Sequence, residues 1–385
     1  MSYGLVHNHC ILALFVHSVV SGLDEWDILL TANTKMDLIL EDNAPRCMES
    51  LDEHLNYTIH IAWEQFKHEF NRNYTDSKEE TKRMNLFCRS FLLIRKHNMA
   101  YNKGKELYKL GINEFSDKVS VCLKSIFYLL QTSEESNHNC ISDLELPDTT
   151  EFESTYQMIS AEPPKSIDWR QYGAVTPVRH QEGCGCCWAF AIVGSIESHY
   201  FLHRRNLYTL SPQQVVDCSL PYGTRGCNGG YLPWGYRYIN QTGGLEQERD
   251  YPYVSGRTGR PNPKCLFDKS KVAAKIVGLV AVPLYNEKAM TQAVGFHGPV
   301  AVLINSSPET FRRYREGIYD DASCGSNIRQ LGHAMLVVGY GEEDGVPFWI
   351  IKNTYGTKWG DNGYIRVRRG VNRCGVATSA LYPRI

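Results

Sequence analysis

Cysteine placement constrains this chain more than any other feature. Of thirteen cysteines, five precede residue 150 and eight follow residue 180, and Cys184, Cys186 and Cys187 fall within four residues. Paired cysteines imply an oxidising compartment and a cross-linked C-terminal part, and an odd total leaves at least one thiol over. The remaining composition excludes rather than assigns. With 41 basic and 42 acidic side chains among 385 residues, the chain has no polyanion-binding footprint. Its 43% hydrophobic content is globular, which excludes disordered and fibrous classes, and its length suggests two to three compact units.

The start reads as a secretory signal over residues 1–22. Cys10 to Val20 is apolar and of signal-peptide length, with Ser21-Gly22 behind it. His17 interrupts the run, and His7 and His9 stand where Lys or Arg is usual. No later run has the ~18 apolar residues of a membrane span. Four N-x-S/T acceptors, Asn56, Asn73, Asn240 and Asn305, are glycosylation candidates on such a route. Residues 23–58 are acidic and without clear pattern, an undefined extension. From Ile59 the period turns helical. Trp63, Phe66 and Phe70 share one face, and after a turn at Asn71–Asp76, Leu86, Phe87 and Ile94 mark a second amphipathic helix. A helical domain thus spans 59–118. Residues 119–162 are loop-like and end at Pro163-Pro164, where a cleavable linker fits.

After this the texture changes twice. Trp188 to Phe201 predicts an apolar helix, with Gly-rich turns and short helices to about residue 270. Strand signals follow at 300–304, 335–340, 348–353 and 364–369. A helical half followed by a β half predicts an α+β unit over 163–385, with two lobes and a cleft between them.

A thiol nucleophile must ionise, and a helix N-terminus and a nearby imidazolium are the strongest levers for that. Cys187 stands at the start of the apolar helix. His333 opens an apolar strand, and Asn353 ends another with an amide able to hold an imidazole in one tautomer. Gln181, six residues before Cys187, offers an NH₂ toward a developing oxyanion, with the backbone N–H of Cys187 as a second donor. Each residue alone has a plain structural reading, as a strand histidine, a turn asparagine or a surface glutamine. Their joint occurrence points to catalysis.

The strings KSIDWR, QEGCGCCWAF, LSPQQVVDCS, GCNGG, DYPY, GPVAV, LGHAMLVVGYG, KNTYGTKWGDNGYIRVRRG and CGVATSALYP follow one another from Pro164 to the C-terminus. This stretch resembles the papain family of cysteine proteases, most like its cathepsin L branch. The signature around the nucleophile, with His and Asn far downstream, is of the known kind. The resemblance implies a papain-like two-lobe fold and a thiolate–imidazolium pair of Cys187 and His333. It makes Asn353 the orienting residue and Gln181 part of the oxyanion hole. Trp359 would border the substrate site and shield the Asn–His hydrogen bond. Upstream, Glu79, Arg83, Leu86, Phe87, Ser90, Ile94 and Asn98 resemble the ERFNIN propeptide helix, and GINEFSD at 111–117 its companion motif. The implied propeptide blocks the cleft until removed, and Glu79 and Arg83 can pair at i,i+4.

The same resemblance pairs Cys184 with Cys227, Cys218 with Cys265, and Cys324 with Cys374, leaving Cys186 and Cys187 as thiols. It assigns substrate backbone contacts to Gly229 and Gly230, and the pocket for the second residue before the scissile bond to Leu232, Leu303, Leu331 and Ser379. A hydrophobic residue is expected there, although such leucines can equally be core. No insertion after Cys187 resembles an exopeptidase loop, so an endopeptidase is expected. Its partners are peptide and protein substrates, its own propeptide and cystatin-type inhibitors, in a lysosomal or extracellular setting.

Five departures stand out, one of them Gly332, which precedes His333 where many relatives carry Asp. Cys186 replaces a small residue, Tyr355 replaces the usual Trp after the Asn, Ser90 replaces Asn, and VSVCLKSIFYLL at 119–130 replaces an acidic helix. A Cys-x2-Cys metal site needs a second ligand pair, which the sequence lacks, so no metal or other cofactor is expected. The rival reading, an inactive protease-like binding or inhibitory protein, would show a replaced Cys, His or Asn, and all three are present.

Overall fold

The computed structural model describes residues 47–118 and 153–385. The signal, the first part of the 23–58 extension, residues 119–130, the linker as far as residue 152, and Cys10, Cys122 and Cys140 lie outside the described residues. The chain divides into two compact units, 1–119 and 120–385.

In the first unit a 3-10 turn, Cys47–Ser50, leads into α1 (Glu53–Glu69), α2 (Ser77–Asn102) and the short strand β1 (Tyr108–Leu110). Asp52 caps α1 by accepting from Leu55 N at 2.9 Å, and Asp76 caps α2 through Lys78 N at 3.0 Å. Ile59, Trp63 and Phe66 of α1 are buried against Phe87, with ring centroids 5.4 Å (Trp63) and 5.0 Å (Phe66) from Phe87. Each fully buried side chain of this size contributes about 1.5–3 kcal/mol. Glu79 and Arg83 pair at 2.6 Å as their spacing predicts, and Arg83 also donates to the Asp117 carbonyl. Asn98 brackets Leu110 with two hydrogen bonds, and Ser90 donates to the Ser116 carbonyl at 2.7 Å. The two propeptide-like motifs are therefore one hydrogen-bonded unit.

The helical part starts at Glu53 rather than Ile59, inside the span expected to be undefined. Its first turns, EHLNYT, are too polar to show a period, and only the Asp52 cap marks them. A disulfide, Cys47–Cys88, ties the segment before α1 to the middle of α2. The sequence alone assigns neither cysteine a partner.

The second unit contains, in chain order, β2 (Glu153–Thr155), β3 (Ile167–Asp168), α3 (Cys187–Arg204), α4 (Pro212–Cys218), α5 (Leu232–Thr242), β4 (Leu245–Glu246), α6 (Ser255–Thr258) and β5 (Val272–Ala274). They are followed by β6 (Gly278–Val282), α7 (Glu287–Phe296), β7 (Val300–Ile304), α8 (Glu309–Arg312), β8 (Tyr314–Tyr319), β9 (His333–Glu343), β10 (Val346–Lys352), β11 (Tyr364–Arg368) and β12 (Ala380–Arg384). Helices dominate the first half and strands the second, the α+β order expected. The main sheet runs β8-β11-β10-β9-β7-β12-β6-β2, with β3 on β9. Every residue of α3 from Cys187 to His199 is buried, which accounts for a helix apolar on all sides. It packs on β9, β12, α4 and α5.

All three implied disulfides are present: Cys184–Cys227, Cys218–Cys265 and Cys324–Cys374. The linker reading needs one change. Residues 153–155 form β2, which pairs in parallel with β6 along the sheet edge.

Candidate active site

Three elements bring the candidate catalytic residues together. Cys187 is the first residue of α3, so the unsatisfied N–H groups and positive dipole end of the helix lie beside its sulfur. His333 is the first residue of β9, paired in register with Ile304 of β7. The backbone N–H of Ala334 donates to Cys187 Sγ at 3.3 Å, which sets the strand bearing the histidine against the helix bearing the cysteine. Asn353 follows the last residue of β10, the strand hydrogen-bonded to β9. Its Oδ1 accepts from His333 Nε2 at 2.8 Å. Oδ1 also accepts from Thr354 N at 2.7 Å, so the amide cannot rotate without losing a second bond. His333 is buried and its Nδ1 has no hydrogen-bond partner among the described residues. With Nε2–H given to Asn353, Nδ1 is the nitrogen left for chemistry, a tautomer inferred from the bonding.

Burial pushes the His333 pKa down to about 4, against the opposing pull of the Asn353 bond. The imidazole is therefore neutral in this state. That is consistent with the sulfur opposite, because Cys187 is held in a disulfide rather than as a thiolate. Among the described residues Cys186 is the free cysteine. The sequence expectation of two leftover thiols is thus corrected to one. The adjacent sulfurs face different surroundings: Cys187 meets β9, whereas Cys186 lies 3.1 Å from the Tyr253 hydroxyl.

The amide of Gln181, the expected oxyanion donor, is fixed in orientation from both ends. Thr354 Oγ1 donates to Oε1 at 2.6 Å, and Nε2 donates to the Cys184 carbonyl at 2.9 Å. The backbone N–H of Gln181 binds the Thr354 carbonyl, joining this segment to the Asn353 turn. Thr354 carries no motif signal of its own, so sequence reasoning missed it.

The shielding expected of Trp359 belongs to Tyr355. Its ring stacks on His333 with centroids 4.8 Å apart and planes 23° from parallel. Trp359 stands behind it, edge-on to Tyr355 at 5.6 Å, with its indole N–H on the Arg312 carbonyl. The reason is one of spacing: two residues after Asn353 the chain is still in the same turn, and six residues after it has moved on.

Leu232, Leu303 and Leu331 are buried in one apolar cluster that also contains Cys187. Ser379 adjoins them through its carbonyl, which accepts from Leu303 N at 3.1 Å. Gly229 has φ 113, outside ordinary L-residue space, and a Cβ on Gly230 would lie 2.4 Å from the Trp188 ring. Both positions therefore require glycine. Of the glycosylation candidates, Asn73 is exposed and Asn56 and Asn240 are half-buried. Asn305 is corrected: it is buried, with Nδ2 on the Gly325 carbonyl, which leaves no room for a glycan in the fold. Among the described residues no group of His, Cys, Asp and Glu side chains forms a metal site, and no helix is long and apolar enough to cross a membrane.

Comparison with known proteins agrees with this geometry. Residues 163–384 match the papain family cysteine protease domain, and residues 63–120 match the cathepsin propeptide inhibitor domain. Cathepsin L of Sarcophaga peregrina is 39% identical over 330 residues, covering 85% of this chain and 93% of that protein. Cathepsin S of Mus musculus is 35% identical over 331 residues, covering 85% and 91%. Among solved structures, digestive procathepsin L 3 of Tenebrio molitor larval midgut superposes with TM-score 0.74 at 33% identity, covering 85% of this chain and 99% of that one. By the two family matches and the extent of these similarities, the chain belongs to the papain family of cysteine proteases, as a cathepsin L-like proenzyme with its inhibitor domain.

Proposed function

We propose that Cys187 is the nucleophile, His333 its proton partner and Asn353 the orienting residue of an endopeptidase. The observation that carries this is the 2.8 Å bond from His333 to Asn353, which leaves Nδ1 unpartnered one residue from the Ala334 N–H that holds the sulfur. Catalysis begins once an external thiol exchanges with the Cys187 disulfide. The external sulfur leaves as part of a new disulfide, its proton passes to His333 Nδ1, and Cys187 is left as the thiolate of a thiolate–imidazolium pair. The thiolate adds to the scissile carbonyl, and the oxyanion takes hydrogen bonds from Gln181 Nε2 and the Cys187 backbone N–H. His333 gives its Nδ1 proton to the departing amine, leaving a thioester. It then takes a proton from water, which hydrolyses the acyl-enzyme and restores the thiolate.

For the substrate, Gly230 supplies backbone hydrogen bonds to an extended peptide, because neither its N–H nor its carbonyl bonds to another described residue. The apolar cluster of Leu232, Leu303 and Leu331 beside Ser379 favours a hydrophobic residue second before the scissile bond. The disulfides and the signal-like start support a secretory route to the lysosome or the outside, with cystatin-type proteins as inhibitors.

The test treats acid-processed, thiol-reduced protein with an epoxysuccinyl probe and maps the adduct. Labelling at Cys187 is expected; an unlabelled Cys187 in folded, reduced enzyme, or an adduct on Cys186, overturns the assignment. Fluorogenic peptides differing only in that second residue test the pocket: Leu or Phe is expected to exceed Arg or Glu in kcat/KM.

A further inference from the structure

Tyr253 lies in the DYPY segment, outside every role assigned above, yet its hydroxyl touches both sides of the oxyanion site. It donates to the Gln181 carbonyl at 2.7 Å and lies 3.1 Å from Cys186 Sγ. A phenol has one proton. With that proton on Gln181, the Cys186 thiol must donate its S–H to the phenol oxygen. We propose that Tyr253, with the Cys186 thiol as its second partner, is a positioning residue that holds the two oxyanion donors in register. This rests on the reading of Cys187 and Gln181 given above.

The two contacts are placed where they matter. Gln181 carries one donor on its side chain. Cys186 is the residue before Cys187, whose backbone N–H is the other donor, and the Cys186 carbonyl accepts the first bonds of α3 from Ala189 and Phe190. Between the two runs a short segment containing Gly183 and Gly185, held in its middle by the Cys184–Cys227 disulfide and at the Gln181 end by the Tyr253 bond. Glu182 in it adopts φ 51, a left-handed conformation that a side chain disfavours. Such backbone persists only where surrounding bonds over-determine it. The Tyr253 bond falls on the carbonyl immediately before Glu182, at the hinge of the segment.

Tyr253 is itself anchored. Its ring packs edge-on against Phe190 of α3 at 5.0 Å, and its backbone N–H binds Glu248, which pairs with Arg179. Cys186 is fully buried, and desolvation pushes its thiol up to about 12. It therefore keeps the proton that the bond to Tyr253 needs, while its neighbour at the same helix end is the ionisable one. A serine at 186 would donate equally well; an alanine would not.

Oxyanion donors bind most strongly in the transition state, so misplacing them lowers kcat and leaves KM little changed. Alkylation of the thiolate by iodoacetamide forms no oxyanion and does not use them. The experiment compares reduced, processed wild type with Tyr253→Phe, Cys186→Ala and Cys186→Ser, each titrated for active sites with the epoxysuccinyl probe. In Tyr253→Phe, kcat is expected to fall about 10- to 100-fold with KM within about twofold and the alkylation rate of Cys187 unchanged. Cys186→Ala is expected to fall less in the same pattern, Cys186→Ser to match wild type, and the double variant Tyr253→Phe/Cys186→Ala to be no worse than Tyr253→Phe. Unchanged kcat in Tyr253→Phe overturns the proposal, as does a parallel loss of kcat and alkylation. If Tyr253→Phe does not fold, Cys186→Ala, which keeps the phenol, decides in the same way. A wild type not labelled at Cys187 would instead fail the underlying catalytic assignment.

Discussion

The imidazole of His333 is held on two sides by groups of different chemistry, an amide oxygen in its plane and the face of Tyr355 upon it. Aromatic stacking of this kind is worth about 0.5–1.5 kcal/mol. Tyr355→Ala is therefore expected to lower kcat/KM about two- to tenfold, and Tyr355→Trp to preserve it; steady-state assays on titrated enzyme check both. Removing the base has a larger effect: His333→Ala is expected to reduce kcat by about 10²–10⁴. The low pKa of His333 belongs to a site whose sulfur carries no charge. Reduction frees a thiolate, and an opposite charge nearby favours the imidazolium, so the pKa must rise. Imidazole NMR of the oxidised and reduced protein should show the His333 titration moving upward from about 4 on reduction. A titration that stays put would mean that the thiolate is not its partner.

At the scale of elements, β7, β9, β10 and the helix α3 were legible because each buries a continuous apolar run, which signals itself without context, and β11 was legible through the period-two alternation of YIRVR. The start of α1 was not, since its first turns are polar and its stability comes from a cap and from packing further along. Cys47 and Cys88 were equally silent, because pairing depends on a fold that brings residues 41 apart together. At the site, Cys187, His333 and Asn353 could be read from motifs. Thr354 and Tyr253 act through loop geometry, which has no period to read. The disulfide in the first unit makes a specific expectation. In the loop-entropy model, closing 41 residues contributes roughly 3–4 kcal/mol, so Cys47→Ala/Cys88→Ala should lower the melting temperature of the proenzyme while leaving that of the mature enzyme unchanged. Differential scanning calorimetry of both forms checks it, and equal melting of the two proenzymes would sink it.

For the whole molecule, acid acts through buried histidines. His199 is fully buried, bonded to the Pro299 carbonyl, and burial pushes its pKa down to about 3; His333 is lowered to about 4, and burial also lowers His297. The unfolded chain binds these protons near pH 6.5, whereas the folded chain binds them only at lower pH, near 3 at His199 and near 4 at His333. The unfolded state thus holds more protons throughout that window, and stability falls as pH drops through it. For His199 alone the loss at pH 4.5 is roughly 2–3 kcal/mol. Thermal melts from pH 7 to 4.5 should show the decline, and His199→Gln should make it shallower. A slope unaffected by that substitution would rule out His199 as a contributor.

Strand β2 bears on how the enzyme matures. Its parallel pairing with β6 continues past Thr155: Tyr156 N bonds the Ala281 carbonyl, and the Gln292 side chain holds Ile159 and Ala161. A protease needs extended backbone free of such bonds, so residues 153–161 resist cutting while docked. Removal of the linker then becomes a peeling event, with a longer species, still zipped to the sheet, accumulating ahead of the trimmed one. Once that selvedge is gone, β6 has an open border, and at high concentration the trimmed enzyme has a ready seam for stitching to extended chains, its own copies included.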